Sequence, residues 1–287
     1  ELVVLLPHII KGSQSELSSI GLTSSTETIK VINVIVYSLV KSLSGRNEYL
    51  PSSSAETGET ATETVLKKIT ATSVANLDEA GLSSADVVAA SSELLGAIVG
   101  SLGLGGISAS ELGGALDKIT VGAVDSLDQI SGFDVTSLGD AIYNITSGVT
   151  TALGDITVAG FSSDNLPSML EKVIFGATSA LGKISMSGYT SDNLSSMVEK
   201  VTSGATGALG RISMDNYTVS DLPGMVSNVT AGATSALGQI SMTGYSSDNL
   251  STMVSNVTAG AVIGLGNIQM TGYSSDNLST MVSNVTA

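Results

Sequence analysis

Five isoleucines, Ile156, Ile184, Ile212, Ile240 and Ile268, stand 28 residues apart, and the residues between them keep the same step. Leu166, Leu194, Leu222, Leu250 and Leu278 form a second series, Met169, Met197, Met225, Met253 and Met281 a third, and Leu181, Leu209, Leu237 and Leu265, each followed by Gly, a fourth. A fixed period of this length marks a chain that stacks one supersecondary unit, because a single unit so short cannot bury its own apolar face. Four complete units and a fifth of twenty residues run from Ile156, and Ile240–Ala259 recurs as Ile268–Ala287 with one change, Ser241 against Gln269.

Upstream the same words recur with slippage. Ile130–Asp155 is a 26-residue version and Ile107–Gln129 a 23-residue one, while Gly81–Gly103 and Gly21–Gly45 are more degenerate copies. Residues 46–63 are polar, lack apolar periodicity and read as a linker. The chain therefore divides into a divergent N-terminal helical region at 1–63, degenerate repeats at 64–155 and regular 28-residue repeats at 156–287.

One unit can be decoded residue by residue. From Asp192 to Leu209, the residues Leu194, Met197, Val198, Val201, Ala205, Ala208 and Leu209 fall at helical spacing and make one apolar stripe. Ser191 is placed to cap the helix, with Asp192 and Asn193 in the first turn, and Gly210 reads as the stop. Pro167 and Pro223, in sister units, fall in the first turn, where a missing N–H costs nothing. The recurring Gly-Ala-Thr of Gly176, Gly204 and Gly232 puts glycine inside a helix at about 1 kcal/mol each, which implies close packing between equivalent helices.

After the helix, Ile212, Ser213 and Met214 alternate as a short extended strand does. An 18-residue helix is ~27 Å long, and ten extended residues reach at most ~33–36 Å, so the segment can carry the chain back to its starting end. Antiparallel neighbours would place successive units in two environments and favour a period of 56, whereas adjacent units resemble each other as closely as alternate ones. The expected fold is thus an α/β solenoid with one helix and one short strand per unit and all helices parallel; the alternative is an all-α solenoid with long linkers. Tyr189, Tyr217, Tyr245 and Tyr273, preceded by Phe161, would then form a ladder.

Composition narrows function more than it names it. Charged residues are 13% of the 287, aromatics 3%, and the net charge is −15, which argues against nucleic acid and anionic lipid as partners. The last basic residue is Arg211, so 212–287 carry only Asp215, Asp221, Asp248 and Asp276 as charges. Cysteine is absent, which removes disulfides, thiolate metal sites and a cysteine nucleophile. The N-terminal ELVVLLPHII lacks the basic region and length of a signal peptide. Ala85–Ile107 has the length of a membrane span, but Asp86 and Glu93 make a buried helix of the repeat family the better reading.

Sites of chemistry are scarce. His8 is the only histidine and has no triad or metal partners, no G-x-S-x-G occurs, and Gly100–Gly106 lacks the lysine of a phosphate loop. No enzyme and no cofactor is expected. The recurring SSDN gives one candidate metal set: Asp164, Asp192, Asp248 and Asp276 as a calcium ladder, interrupted by Ser220 and competing with plain helix capping. Eight N-x-[ST] sequons, at Asn144, Asn193, Asn216, Asn228, Asn249, Asn256, Asn277 and Asn284, and a hydroxyl row of Ser185, Ser213, Ser241, Thr243 and Thr271 are most simply solvated surface.

The repeats reach Ala287 within an apolar helix and without a polar closing unit, so either more repeats or a docking surface is expected there. The functional expectation is a non-enzymatic, extracellular or cell-surface structural protein that self-assembles through stacked repeats into a homo-oligomer or into a filament, sheath or stalk. A cell-surface adhesin or ligand-binding repeat module, possibly using calcium, is the alternative.

Overall fold

The computed structural model describes residues 2–17, 19, 22, 24–44 and 59–286. Eleven α-helices run through them: α1 (Leu2–Leu17), α2 (Ser25–Lys41), α3 (Ala61–Ala75), α4 (Ser84–Gly100), α5 (Leu112–Asp125), α6 (Val135–Ala152), α7 (Leu166–Ala180), α8 (Leu194–Ala208), α9 (Leu222–Leu237), α10 (Ser247–Gly266) and α11 (Ser275–Thr286). The degenerate copies thus supply one helix each, as the regular units do. The expected polar linker at 46–63 lies mostly outside the described residues; its end, Thr60 with Glu63, forms the capping box of α3.

Among the described residues no strand is present, which corrects the α/β expectation and leaves the all-helical solenoid. Ile184 and Ile212 do take extended backbone angles. Their segments pair with no neighbouring strand, however, and pin to the core instead: Ile184, Ile212, Ile240 and Ile268 are all buried, and Met186, Met214, Met242 and Met270 pack against the core from its edge. The alternation that resembles a strand is a buried anchor, an exposed residue and a half-buried methionine without a partner strand.

Each helix from α1 to α10 packs chiefly against a helix two units away, and α11 packs most against α10. α1, α3, α5, α7, α9 and α11 make one layer and α2, α4, α6, α8 and α10 the other, with one continuous core from Leu6 to Met281 between them. Within a layer the helices are parallel. Gly139 near the start of α6 faces Met197 near the start of α8, Gly204 in mid-α8 faces Tyr143 in mid-α6, and Gly154 beyond α6 faces Ser213 beyond α8.

Consecutive helices are antiparallel, against the expectation that all run one way. The Tyr189 hydroxyl donates to the Leu181 carbonyl at the C-terminal end of α7, 3.1 Å away. The first turn of the next unit opens at Ser191, and two residues of chain span at most about 7 Å. α8 therefore begins beside the end of α7, whereas a parallel course would place its start about 22 Å away along a 15-residue helix. The period of 28 survives because a half-turn about the stacking axis, combined with an advance, carries each unit onto the next while swapping layers and reversing direction. All units share one environment, so no period of 56 is required.

Glycine sets the spacing within each layer. A Cβ added to Gly122, Gly148, Gly176, Gly204, Gly232 or Gly260 would lie 2.5–2.7 Å from the carbonyl oxygen of Lys67, Ser92, Asp117, Tyr143, Glu171 or Glu199, on the helix two units earlier. These are backbone atoms that cannot swing aside, so only glycine permits the contact. The stripe predicted for α8 lies fully inside, from Leu194 to Leu209.

Candidate functional site

Polar groups gather at helix starts and in loops, whereas the buried side-chain atoms without a partner, among them Asp117 Oδ1 and the hydroxyls of Thr150, Thr178 and Thr206, lie within the helices. At the starts, the cap falls one residue earlier than the sequence suggests. Thr190, not Ser191, is the cap, and Asn193 Oδ1 accepts from its N–H at 2.8 Å. The same box joins Ser162 to Asn165, Thr218 to Asp221, Ser246 to Asn249 and Ser274 to Asn277. This assigns the Asn of SSDN a role in closing the box, and it occupies the sequons at Asn193, Asn249 and Asn277. Asn144, Asn228 and Asn256 donate from their amides to carbonyls of Val88, Gly224 and Thr252. Asn216, in a loop, and Asn284, in α11, complete the set.

Upstream, carboxylates replace the asparagine. The Ser83 hydroxyl beside Asp86 and the Ser108 hydroxyl beside Glu111 hold those carboxyls below their usual range, and the Ser137 backbone N–H does the same for Asp134.

The four aspartates proposed as a calcium ladder divide between the layers. Asp192 and Asp248 precede or open α8 and α10 in one layer and share a cleft of about 200 Å³ with Ser191, Ser195, Asn249 and Thr252. Asp164 and Asp276 belong to α7 and α11 in the other layer, with Ser220 on the intervening turn. Among the described residues no group of three or more His, Asp or Glu side chains is arranged to hold a metal ion.

The tyrosine ladder is also redistributed. Because direction alternates, Tyr189 and Tyr245 lie at one edge of the stack and Tyr217 and Tyr273 at the other. Each acts locally, its hydroxyl donating to the carbonyl eight residues earlier: Leu181, Leu209, Leu237 and Leu265, at 2.9–3.1 Å. Burial pushes all four phenols above their ordinary range. The hydroxyl row of Ser185, Ser213 and Ser241 splits between the same two edges. Ser185 N–H is taken by Asp128 Oδ2 at 2.8 Å, linking loops of one layer.

Gly210 is not a left-handed helix stop. It lies in a 3₁₀ turn, Leu209–Arg211, where a Cβ would meet the Gln269 carbonyl oxygen at 2.6 Å. The left-handed position falls six residues later, filled by glycine at Gly160, Gly188, Gly244 and Gly272 but by Asn216 at φ 64°.

One polar cleft departs from the repeat. Ser92 and Gly96 on α4, Tyr143, Asn144, Ser147 and Thr151 on α6, Asp155 and Arg211 enclose about 350 Å³. Arg211 donates to the hydroxyls of Ser147 and Thr151. In the other layer, Lys118 Nζ of α5 lies 3.1 Å from both Glu59 and Asp117. Neither constellation pairs a nucleophile with a base.

The clearest departure from a satisfied surface is apolar. Leu5, Ile9, Val34, Tyr37, Leu250, Val254 and Ile263 are exposed, and all belong to α1, α2 or α10, near the ends of the two layers; Leu104, in a loop, is the other large exposed apolar residue among those described. Among the described residues no helix is long and apolar enough to cross a membrane; the segment considered for that role is α4 and the turns after it.

No protein-family model matches the chain, and no curated protein matches it. Among solved structures the chain is similar to one from work on the computational design of self-assembling cyclic protein homo-oligomers. The two share 12% identity over 100% of this chain and 96% of that one, with a TM-score of 0.33. That likeness is too low to carry an argument about this protein.

Proposed function

We propose that this is a non-enzymatic structural repeat protein whose solenoid associates with copies of itself, building a filament, sheath or stalk outside the cell or on its surface. The supporting observation is the location of its exposed apolar side chains. All but Leu104, in a loop, fall on α1, α2 and α10, while hydroxyls, amides and capping boxes cover most of the flanks of the stack. Large apolar side chains left in water gain by being covered by another molecule. Low charge and a surface rich in Ser, Thr and Asn fit a protein that works outside the cell.

Sedimentation velocity over a hundredfold range of concentration, with negative-stain micrographs of the same samples, tests this reading. Growing assemblies or rods longer than one chain are expected; a single monomeric species at every concentration would sink it.

The Arg211 cleft supports a second reading, that of a ligand-binding module. Its size suits a small polar ligand, and Tyr143, Asn144 and Arg211 replace residues that differ in the neighbouring units. A ligand displaced by Arg211→Ala, with assembly unaffected, would favour it.

A further inference from the structure

Grooves between neighbouring helices repeat along the layer of α4, α6 and α8, and one of them is left open. The Ser92 carbonyl oxygen of α4 meets Gly148 of α6 as the Tyr143 carbonyl oxygen of α6 meets Gly204 of α8, so Ser92 and Tyr143 hold equivalent places. Tyr143 fills its groove, its hydroxyl lying 3.7 Å from a Cβ added to Gly207. Ser92 has no ring to do the same, and nothing lies within 4 Å of a Cβ added to Gly96, one turn further along α4. The cleft of about 350 Å³ between α4 and α6 is the space this leaves.

Equivalent side chains roof these grooves at intervals of 56 residues: Asp155, Arg211 and Asn267. The Asp155 Cβ lies 3.7 Å from a Cβ added to Gly100 of α4, Arg211 Nε donates to Thr151 Oγ1 of α6 at 3.4 Å, and the Asn267 Cβ lies 3.4 Å from a Cβ added to Gly207 of α8. Asp155 and Arg211 therefore stand over adjacent helices, and both line the open cleft.

Arg211 is held there without being neutralised. Thr151 and the buried Ser147 accept from Nε and Nη2, which occupies one edge of the guanidinium and leaves the Nη1–Nη2 edge for a ligand. Among the described residues neither Arg211 nor Asp155 forms an ion pair. A carboxylate matches the remaining edge with two parallel bonds. A simple anion is disfavoured, because Asp155 shares the cleft and the chain carries a net charge of −15. A ligand with an ammonium beside its carboxylate satisfies both side chains and adds no net charge. Two charge-assisted bonds of about 2.8 Å, one at each end of an α-amino acid, fit within the ~8–10 Å between neighbouring helix axes. Asn144 donates its amide to the Val88 carbonyl at 3.1 Å and keeps Oδ1 as a further acceptor for the ammonium.

We infer that the cleft between α4 and α6 binds a free α-amino acid, with its carboxylate on Arg211 and its ammonium on Asp155. The inference rests on the ligand-binding reading of this cleft and names its ligand class.

Equilibrium dialysis of the chain against radiolabelled glycine, L-serine, L-glutamine and L-phenylalanine tests it, with acetate and methylammonium as probes of single charge. At least one amino acid should bind, and both single-charge probes should bind at least about tenfold more weakly. Arg211→Gln and Asp155→Asn should each lower the amino acid's affinity at least about tenfold. Ser92→Tyr keeps both charges but supplies the ring that fills the next groove, and it should abolish binding. Circular dichroism checks that every variant retains the helix content and melting of the parent. If acetate binds as well as the amino acids and Asp155→Asn changes nothing, the cleft is an anion site, and the inference is overturned while the ligand-binding reading stands. If amino acids bind but no variant matters, they sit elsewhere and the inference fails. If no amino acid binds, the inference fails too, and neutral sugars and nucleosides in the same assay separate it from the broader reading: binding that Arg211→Gln removes keeps that reading, and no binding sinks both.

Discussion

Single atoms decide much of this stack. Gly204 is the sharpest case, because two effects of opposite sign meet there. Alanine is worth about 1 kcal/mol more than glycine within a helix, yet a Cβ here would sit 2.5 Å from the Tyr143 carbonyl oxygen. Overpacking against backbone costs about 1–3 kcal/mol or more, so Gly204→Ala should lower the melting temperature. Gly224→Ala, where nothing lies within 4 Å of the added carbon, should raise it by the propensity gain of about 0.5–1 kcal/mol. Thermal denaturation of the pair isolates packing from propensity.

Asn216 offers a third substitution. It alone fills with a side chain the left-handed position that glycine takes at Gly160, Gly188, Gly244 and Gly272. Asn216→Gly should stabilise by up to about 1 kcal/mol, read from the denaturant midpoint.

The tyrosines link the same atoms to pH. Tyr189 and Tyr217 are buried, and their phenols titrate well above the ordinary value near 10. A group whose folded value is raised contributes stability that is present below its unfolded value and lost as pH climbs beyond it. Unfolding free energy should therefore be flat with respect to these groups up to about pH 10 and fall above it. Spectrophotometric titration should show these two phenols ionising only as the fold is lost. Removing both hydroxyls, in Tyr189→Phe with Tyr217→Phe, should flatten the alkaline slope and cost about 0.5–1.5 kcal/mol per lost bond at neutral pH.

Most helices carry their own start signal in a hydroxyl and the amide or carboxylate three residues on, and α6 reverses it with Asp134 and Ser137. Thr190→Ala should cost about 1 kcal/mol, seen as a lower denaturant midpoint, whereas Asp192→Asn, outside the Thr190–Asn193 pair, should change little. Because the box accounts for the polar groups at the helix starts, millimolar calcium or EDTA should leave the melting temperature unchanged. A rise with calcium that Asp192→Asn and Asp248→Asn abolish would instead support an ion in their shared cleft. Helix starts, stripes and close-packing glycines were all legible in residues 156–287. The cap was misplaced by one residue because Ser191 and Thr190 are both competent caps, and only the Asn193 side chain selects between them.

For the molecule as a whole, the two-layer stack makes stability a sum over neighbours. Interior helices have a partner on both sides within their layer, whereas α1, α2, α10 and α11 have one. Amide hydrogen exchange should therefore be slowest in α5 to α8 and quickest in α1 and α11. Equal protection throughout would mean that the array unfolds as one cooperative block.

The 28-residue period, by itself, determined that the protein is a stack of equivalent units, which side of each helix is buried and where glycine must recur. Those properties are written in local spacing, because every unit solves the same burial problem with the same residues. Direction was not written there. A half-turn and an advance make antiparallel neighbours as equivalent as parallel ones, so one period serves either arrangement. The tertiary structure chose through the tyrosine hydroxyls, which fold each loop back on the helix it leaves. It also turned the apparent strands into single core anchors and left apolar ridges uncovered on the outer helices.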